Sequence, residues 1–439
     1  MSDAPGSHGA AGEPVAGEAG AGFDAREPRP ETLDAMRALP KVLLHDHLDG
    51  GLRPQTLLDL ARDAGHTLPE TDADALARWF VTAAHGSLAT YLATFEHTLA
   101  VLQTADALHR VAREAVEDLA ADGVAAAELR YAPELHLTAG LSLDDVVTAV
   151  REGLAEGAAA TGMQVGQILC AMRQHDQAER IAELAVRHRD DSSTGAGPAG
   201  AVVGFDLAGP EQGYPPSRAA RAFAVLREAY LPFTVHAGEA VTGPEAVTSL
   251  AEALHAGACR LGHGVRLVDQ LVWPDSATRP DKTSSPDQVD WPGDAHDETD
   301  APAEPDSGVL AGGPDQDHRP RPATALARWV RDRRIALEVC PSSNVATGAA
   351  ASVATHPATA LLRAGFAVTV NTDNRLQSGT SLSRELALLV DQAGWSLQDV
   401  RDVTLTAARS AFIHRDEQEA LVTTITGPAS GAPGGRHRA

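Results

Sequence analysis

Eight short apolar runs alternate with amphipathic helical patterns between Lys41 and Asn371. Strands that alternate with helices form parallel β/α units, because each helix carries the chain back to the start of the next strand. Eight units in about 340 residues predict an α/β fold, a (β/α)8 TIM barrel with helical insertions. The predicted strands are Val42–His47, Ala125–Tyr131, Gln164–Ala171, Ala201–Leu207, Phe233–His236, Ala258–Gly262, Ile335–Cys340 and Ala367–Asn371.

The segments between these runs carry Arg, Glu and Ala on a polar helical face. This pattern predicts helices at Leu143–Glu156, Gln177–Arg189, Pro216–Ala229 and Ala323–Arg333. Residues 67–122 predict a helical excursion after the first unit, with helices at Ser87–Leu102 and Ala105–Ala121.

Three segments fall outside the pattern, namely residues 1–30, 274–322 and 423–439. The first is rich in Gly, Ala, Glu and Pro, and the second in Pro, Gly, Asp and Glu. Chains of this composition bury too little apolar surface to fold. We therefore expect a disordered arm, a disordered acidic insert and a disordered tail around one barrel domain at 31–422. The insert is interpreted as a surface linker, and His296 and His318 within it are not counted as ligands.

Charge and cysteine content exclude several classes of protein. The formal net charge is −24, and so acidic a surface repels nucleic acid and anionic membranes. No apolar run approaches the roughly 20 residues that span a bilayer, and the first thirty residues lack the pattern of a secretory signal. Cys170, Cys259 and Cys340 are widely spaced and odd in number. They argue against a disulfide framework and favour the reducing cytoplasm.

Polar clusters follow four of the predicted strands, at the barrel face where catalytic residues of this fold lie. They are HDHLDG at 45–50, HAGE at 236–239, HG at 263–264 and NTDN at 371–374. His45 and His47 are two residues apart, so their side chains point to the same side of a strand. Together with His236 and Asp373 they form a ligand set that suits one Zn²⁺.

The remaining polar groups in these clusters suggest what such a metal site could do. A water would complete the site, because the metal lowers its pKa toward neutrality and makes hydroxide available. His263 and Glu239 remain outside the ligand set, one as a base or charge stabiliser and the other as a proton donor. A carboxylic acid that burial keeps neutral can protonate a ring nitrogen, which allows an aromatic amine to leave.

Two other classes of metal hydrolase are excluded by residues that are missing. Binuclear amidohydrolases with a carbamylated lysine need a lysine at the end of a mid-barrel strand, and the chain has only Lys41 and Lys282. The cytidine-type zinc deaminases carry H-x-E and P-C-x-x-C, and this sequence has neither motif. A mononuclear site of a different kind is therefore expected.

Taken together, these clusters closely resemble the adenosine deaminase family, and within it a bacterial branch of actinobacterial character. The similarity extends from about residue 36 to 420 and is carried by Leu44–Thr56, Gly86–Phe95, Glu128–His136, Gly204–Glu211, Val235–Glu239, Leu261–Val265, Glu338–Asn344, Asn371–Ser381 and Thr406–Phe412. It implies zinc-dependent hydrolytic deamination of adenosine and 2′-deoxyadenosine to the inosine forms, with release of ammonia, in purine salvage.

Two alternatives stay open beside that expectation. One is a different 6-aminopurine substrate, such as aminodeoxyfutalosine, free adenine or a nucleoside antibiotic. The other is a descendant that binds nucleosides without catalysis, although every inferred ligand and acid–base group is intact in the sequence.

The resemblance also implies roles for individual residues. The zinc ligands would be the four residues named above, Glu239 would protonate purine N1, and His263 would orient the attacking water. Asp49 would hydrogen-bond the ribose, and the backbone amide of Gly209 would contact N3. Asn374 stands where animal members have an aspartate near N7, and its amide can donate to that nitrogen. Asp206 is expected to brace a metal-side histidine, with a turn carboxylate as the alternative.

Two further groups are left with two interpretations each. Tyr91, Leu92 and Phe95 could form a hydrophobic lid over the purine or pack as an ordinary helix face. Ser342, Ser343 and Asn344 could line the pocket or cap a loop. Cys340 is interpreted as structural.

Overall fold

The computed structural model describes residues 27–189, 199–273 and 319–427 and confirms the predicted barrel. Eight strands pair in parallel, and their order in the sheet follows their order in the chain. They are β1 (Lys41–His47), β2 (Val124–Tyr131), β3 (Gln164–Met172), β4 (Val202–Ala208), β5 (Phe233–Ala237), β6 (Arg260–His263), β7 (Ala336–Val339) and β8 (Val368–Val370). Each strand lies within two residues of its predicted bounds.

The contact between β1 and β8, here called the seam, closes the barrel. Asp46 and Asp373 form a parallel bridge. The amide of His47 donates to the carbonyl of Asp373 at 2.6 Å, and the amide of Asp373 donates to the carbonyl of His45 at 3.0 Å. The side-chain oxygen of Asn371 accepts a hydrogen bond from the amide of His45 at 3.1 Å. The seam is therefore built from the backbone of predicted site residues and one side-chain amide.

Sixteen α-helices lie within the described ranges, and those that follow strands pack around the barrel. They are α1 (Pro30–Arg37), α2 (Pro54–Ala64), α3 (Ala73–Ala83), α4 (Leu88–Ala93), α5 (Phe95–Val101), α6 (Ala105–Ala121), α7 (Leu143–Thr161), α8 (Ala178–His188), α9 (Ala220–Glu228), α10 (Gly243–Ala256), α11 (Ala325–Asp332), α12 (Pro341–Ala346), α13 (Pro357–Arg363), α14 (Leu382–Ala393), α15 (Leu397–Ser410) and α16 (Arg415–Thr426). Gly153 lets α7 approach α6, because a Cβ there would lie 2.3 Å from the carbonyl oxygen of His109.

Two of these helices begin with the same capping box. In α7 the Ser142 hydroxyl accepts from the amide of Asp145 at 3.1 Å, and the Asp145 carboxylate accepts from the amide of Ser142 at 2.9 Å. Ser396 and Asp399 repeat this arrangement in α15, at 3.1 Å and 2.8 Å. Each box satisfies backbone N–H groups that have no partner inside the helix.

The helical excursion at 67–122 contains α3 to α6, as predicted. The prediction of one helix at Ser87–Leu102 is wrong, because the chain forms two helices that separate at Thr94. The Thr94 hydroxyl donates to the carbonyl of Tyr91 at 2.7 Å, a local bond that competes with continuous helix.

The ends of the predicted disordered segments are partly ordered. Helix α1 begins at Pro30 and α16 extends to Thr426, so Pro30 and residues 423–426 are helical. Leu271–Val272 pairs antiparallel with Arg321–Pro322 at the end of the predicted insert. The rest of these segments, residues 1–26, 274–318 and 428–439, lies outside the described residues, and the single domain at 31–422 stays a prediction. None of the helices in the described ranges has the length and apolar character needed to cross a membrane.

Candidate active site

The ends of β1, β5, β6 and β8 bring the predicted polar residues together. The ring centroid of His45 lies 5.2 Å from that of His47, 4.7 Å from that of His236 and 5.0 Å from that of His263. One carboxylate oxygen of Asp373 lies 3.4 Å from Nε2 of both His45 and His47. Residues more than 300 positions apart in the chain thus surround one small volume.

Ligand atoms of His45, His236, His263 and Asp373 all lie within 4.8 Å of one another, which could accommodate a metal ion. This group contains His263 where the sequence analysis chose His47. His47 nevertheless borders the same volume through its contact with Asp373. Both His47 and His263 are therefore close enough to be metal ligands, and their hydrogen-bond partners distinguish them.

Carboxylates fix the protonated nitrogen of two of the histidines. Nδ1 of His45 lies 3.0 Å from Glu338, and Nδ1 of His236 lies 2.9 Å from Asp206. An ionised carboxylate only accepts hydrogen bonds, so each Nδ1 carries the proton and each Nε2 presents a lone pair. Nε2 of His45 is buried and has no hydrogen-bond partner within the described part of the chain. The contact between Asp206 and His236 is the one that the sequence analysis expected.

Two site residues have backbone conformations that are rare for side chains of their type. His263 has φ of 60° and Asp373 has φ of 58°, both in the left-handed region that costs about 1 kcal/mol or more outside glycine. His263 is the last residue of β6 and Asp373 lies three residues after β8, and the side chains of both enter the shared volume. Two of the candidate functional residues therefore adopt a strained backbone conformation.

Glu239 is held as a neutral acid within the site. Burial, and next the negative charge of Asp373, raise the pKa of Glu239 to about 8. Its Oε1 accepts hydrogen bonds from Asn344 at 3.2 Å and from Thr347 at 3.0 Å. Its Oε2 lies 3.4 Å from Nε2 of His263. A carboxyl group in this state can give a proton near neutral pH.

The loop that carries Glu239 is held by Glu211, a residue that the sequence analysis did not single out. The Glu211 carboxylate accepts hydrogen bonds from the amides of Gly238 at 2.6 Å, Glu239 at 3.1 Å and Ala240 at 3.1 Å. The amide of Val241 donates to the same carboxylate at 3.4 Å. Four donors on one carboxylate fix the loop backbone and hence the position of the Glu239 side chain. The only signal in the sequence was the position of Glu211 in the stretch at 204–211 that matches the family.

A cluster of five buried charges, here called the ionic layer, lies next to the histidines and contains Arg130, Arg260, Glu128, Asp206 and Glu338. Arg130 contacts Asp206 at 3.1 Å and Glu338 at 2.9 Å. Arg260 contacts Glu338 and Glu128, both at 2.6 Å. Burial opposes ionisation of Glu338, but the charges of Arg130 and Arg260 hold the pKa of that carboxyl far below its usual range.

The ionic layer therefore keeps the two carboxylates that orient His45 and His236 charged. Sequence reasoning missed Glu338 and Arg130. The sequence did contain a signal for Glu338. It is a charged residue within 335–340, a run that is otherwise typical of a buried strand.

The three predicted substrate contacts follow β1, β4 and β8. Asp49 follows β1, is buried and has one carboxylate oxygen without a partner in the ranges that the structure describes. Burial raises the pKa of this residue to about 7. Gly209 follows β4 with φ of 96°, and a Cβ there would lie 2.4 Å from the Gln174 side chain. Asn374 is buried after β8, with its side-chain oxygen against Gly50.

Two of the candidate lid residues, Tyr91 and Phe95, make different contacts. Tyr91 is buried and its hydroxyl hydrogen-bonds Ser378 at 2.9 Å. Phe95 packs on the cluster formed by Tyr91, Ala84 and Ala346, and Ala346 lies on α12, the helix that also carries Asn344. The aromatic pair thus packs against the helix that carries Asn344. Of the three polar residues that follow β7, Ser343 contacts Asp373 at 2.5 Å and Asn344 contacts Glu239.

Comparisons with known proteins identify the family. The family model described as adenosine deaminase matches residues 40–428. An adenosine deaminase of Mycobacterium marinum is 46% identical over 404 residues, which cover 90% of this chain and 97% of the relative.

Two solved structures share the fold. An adenine deaminase from Arthrobacter aurescens superimposes with a TM-score of 0.67 at 24% identity, over 88% of this chain and 98% of its own. An amidohydrolase from Burkholderia ambifaria with bound Zn gives a TM-score of 0.67 at 21% identity, over 91% and 93% of the two chains. On the family match and the extent of the identity to its relatives, the chain belongs to the adenosine deaminase family.

Proposed function

We propose that the protein catalyses the hydrolytic deamination of adenosine and 2′-deoxyadenosine to inosine and 2′-deoxyinosine, with release of ammonia. The observation that carries this proposal is the buried carboxyl of Glu239, 3.4 Å from Nε2 of His263 and beside the cluster of histidines and Asp373. Relatives that are named adenosine deaminase and share nearly half of their residues with this chain support the substrate. A cytoplasmic location is part of the proposal and rests on three free cysteines.

We propose that His45, His47, His236 and Asp373 hold one Zn²⁺. Imidazole nitrogens with one carboxylate are a donor set that zinc prefers, and the unpartnered, buried Nε2 of His45 fits a metal ligand. A zinc ion held in this way supplies a Lewis acid and lowers the pKa of a water. His263 is left outside the set because its ring nitrogens already contact Asn344 and Glu239.

In this reaction Glu239 donates a proton and His263 orients the water. The two hydrogen bonds that Oε1 of Glu239 accepts leave its proton on Oε2. From there the proton passes to N1 of the purine, which makes C6 more electrophilic toward water. His263 orients that water, whose oxygen bonds to C6. One water hydrogen restores the Glu239 carboxyl and the other passes to the 6-amino group, which leaves as ammonia when the C6–N bond breaks.

The remaining contacts position the nucleoside. The unpartnered oxygen of Asp49 would accept a hydrogen bond from a ribose hydroxyl. The amide of Gly209 would donate to N3, and the side-chain amide of Asn374 would donate to N7. These contacts recognise an aminopurine with a sugar attached, which favours a nucleoside over the free base.

A substrate panel tests this assignment. We expect the zinc-loaded protein to release ammonia from adenosine and 2′-deoxyadenosine with kcat/KM at least tenfold above that for free adenine, aminodeoxyfutalosine or AMP. A preference for free adenine or for another 6-aminopurine would overturn the substrate. A purified chain that binds adenosine but releases no ammonia, and that contains no zinc by metal analysis, would overturn the enzyme itself.

A further inference from the structure

We infer that Asn344 is a positioning residue that determines which nitrogen of His263 and which oxygen of Glu239 carries the proton, and that His356 sets the orientation of the Asn344 amide. The inference deepens the proposed function and rests on it for the roles of Glu239 and His263. All four side chains are buried.

The chain of contacts begins at His356, at the start of α13. The amide of Ala358 donates a hydrogen bond to Nδ1 of His356 at 3.0 Å. This nitrogen therefore holds a lone pair, and the proton of the neutral ring is on Nε2. Burial lowers the pKa of His356 to about 3, so the ring is neutral at physiological pH.

The next contact fixes the Asn344 amide. Nε2 of His356 lies 3.3 Å from Oδ1 of Asn344, and the amide of Cys340 approaches the same oxygen at 3.4 Å. Two donors directed at one atom require that atom to be the carbonyl oxygen. The NH₂ group of Asn344 must then point the other way, into the active site.

The NH₂ group of Asn344 has two hydrogens and two acceptors within reach. One acceptor is Oε1 of Glu239 at 3.2 Å, and the other is Nδ1 of His263 at 3.1 Å. Because Nδ1 of His263 accepts, the proton of this ring is on Nε2, 3.4 Å from Oε2 of Glu239. Because Oε1 of Glu239 accepts here and from Thr347, its acid proton is on Oε2.

This arrangement gives His263 the opposite tautomer to that of His45 and His236. In those two rings a carboxylate takes the Nδ1 proton and leaves Nε2 free to bind a metal. In His263 the amide supplies a hydrogen to Nδ1, so Nε2 is an N–H donor and cannot be a ligand. One amide thus separates a water-orienting histidine from the histidines beside it.

Asn344→Asp tests the inference because it keeps the shape of the side chain and removes both donated hydrogens. We expect nitrogen chemical shifts of histidine-labelled, zinc-loaded protein to show the His263 proton on Nε2 in the wild type and on Nδ1 in the variant. We expect kcat to fall about 100-fold or more, with KM and zinc content close to wild type. A wild-type His263 protonated on Nδ1, or a variant with unchanged tautomer and kcat, would overturn the inference.

A second pair of variants covers the case in which Asn344→Asp does not fold. His356→Phe removes the donor to Asn344 and should lower kcat about tenfold, while His356→Gln keeps an N–H donor and should recover most of it. His188→Phe, on α8 at the outside of the barrel, is the matched control and should leave kcat unchanged. Equal kcat in both His356 variants would contradict the proposed contact.

The tautomer is measured without substrate, so the inference and the proposed function can fail separately. A wild type with the inferred tautomer that does not deaminate adenosine would remove the proposed function alone.

Discussion

The ionic layer and the active site are two neighbouring sets of buried polar groups. They differ in how far their polar groups have partners within the protein. In the ionic layer every carboxylate contacts an arginine. In the active site, by contrast, Nε2 of His45 and one oxygen of Asp49 have no partner among the described residues. A buried polar atom without a partner costs about 1–3 kcal/mol.

The difference indicates that the two regions have different roles. The active site retains polar atoms that a metal or a substrate could satisfy, and the ionic layer, whose carboxylates are all paired with arginine, holds their neighbours in place. The variants described next test this comparison, beginning with the largest expected effect.

Glu239→Gln should have the largest effect on turnover. The amide has the shape of the carboxylic acid but no acidic proton, so we expect kcat to fall about 1000-fold. Zinc content should stay at the wild-type level, because Glu239 lies outside the proposed ligand set. Ammonia release and metal analysis on the same sample measure both quantities, and a variant that loses zinc would contradict the assigned role.

His236→Ala should show the reverse pattern. Loss of a ligand is expected to weaken zinc binding by more than about 100-fold, and activity should be lost with the metal. Competition with a chelator gives the affinity, and His188→Ala serves as a control for loss of a histidine elsewhere. Retention of zinc by His236→Ala would show that the ligand set is wrong.

Arg130→Met tests the ionic layer. The substitution leaves Asp206 and Glu338 without the cation between them, and breaking a buried pair in this way costs about 3–5 kcal/mol. Urea unfolding measures the loss. The matched control is Arg53→Met, because Arg53 also contacts acidic groups, including Glu117 and Asp118, but is more than one-third exposed.

For Arg53→Met the expected cost is about 1 kcal/mol or less. Equal losses for the two arginine variants would mean that burial does not distinguish the ionic layer from a surface network.

The smallest effect is expected at the capping box of α15, outside both regions. The hydrogen bond from Arg363, and the capping bonds with Ser396, lower the pKa of Asp399. Asp399→Asn keeps an oxygen for the cap and removes the charge, so we expect a loss of about 1 kcal/mol or less at pH 7.

The sign of the pH dependence follows from the lowered pKa. Stabilisation by the Asp399 carboxylate is fully present above the unfolded pKa of about 3.9 and is lost as the pH falls through the folded value. Thermal unfolding of wild type and variant should therefore converge in acid. Asp145→Asn, in the equivalent box of α7 without an arginine contact, should change less at pH 7.

The barrel was predictable from the sequence because strand and helix periodicities are local properties. The same holds for the pairing of His45 with His47, since residues two apart share one side of a strand. Asn344 and Glu338 act on side chains, and Glu211 on backbone amides, that other strands or their loops contribute. Their contacts exist only once the barrel has closed, and nothing in their own segments specifies the partner.

The protonation of the candidate metal ligands was likewise not predictable from the sequence. Alternation along one strand predicts which side chains point inward, but it does not predict which nitrogen of a ring carries a proton. That property depends on hydrogen-bond partners such as Asn344, which lies 81 positions from His263. The break between α4 and α5 at Thr94 was missed for a related reason, because helical periodicity continues across it.

The seam between β1 and β8 links metal binding to local opening of the barrel. The amides of His47 and Asp373 form hydrogen bonds across it, and both residues are proposed zinc ligands. A ligand that binds only the closed form stabilises it by RT ln(1 + [L]/Kd). Exchange of these two amide hydrogens with solvent would thus slow as zinc is added, and chelation would open the barrel first along this line.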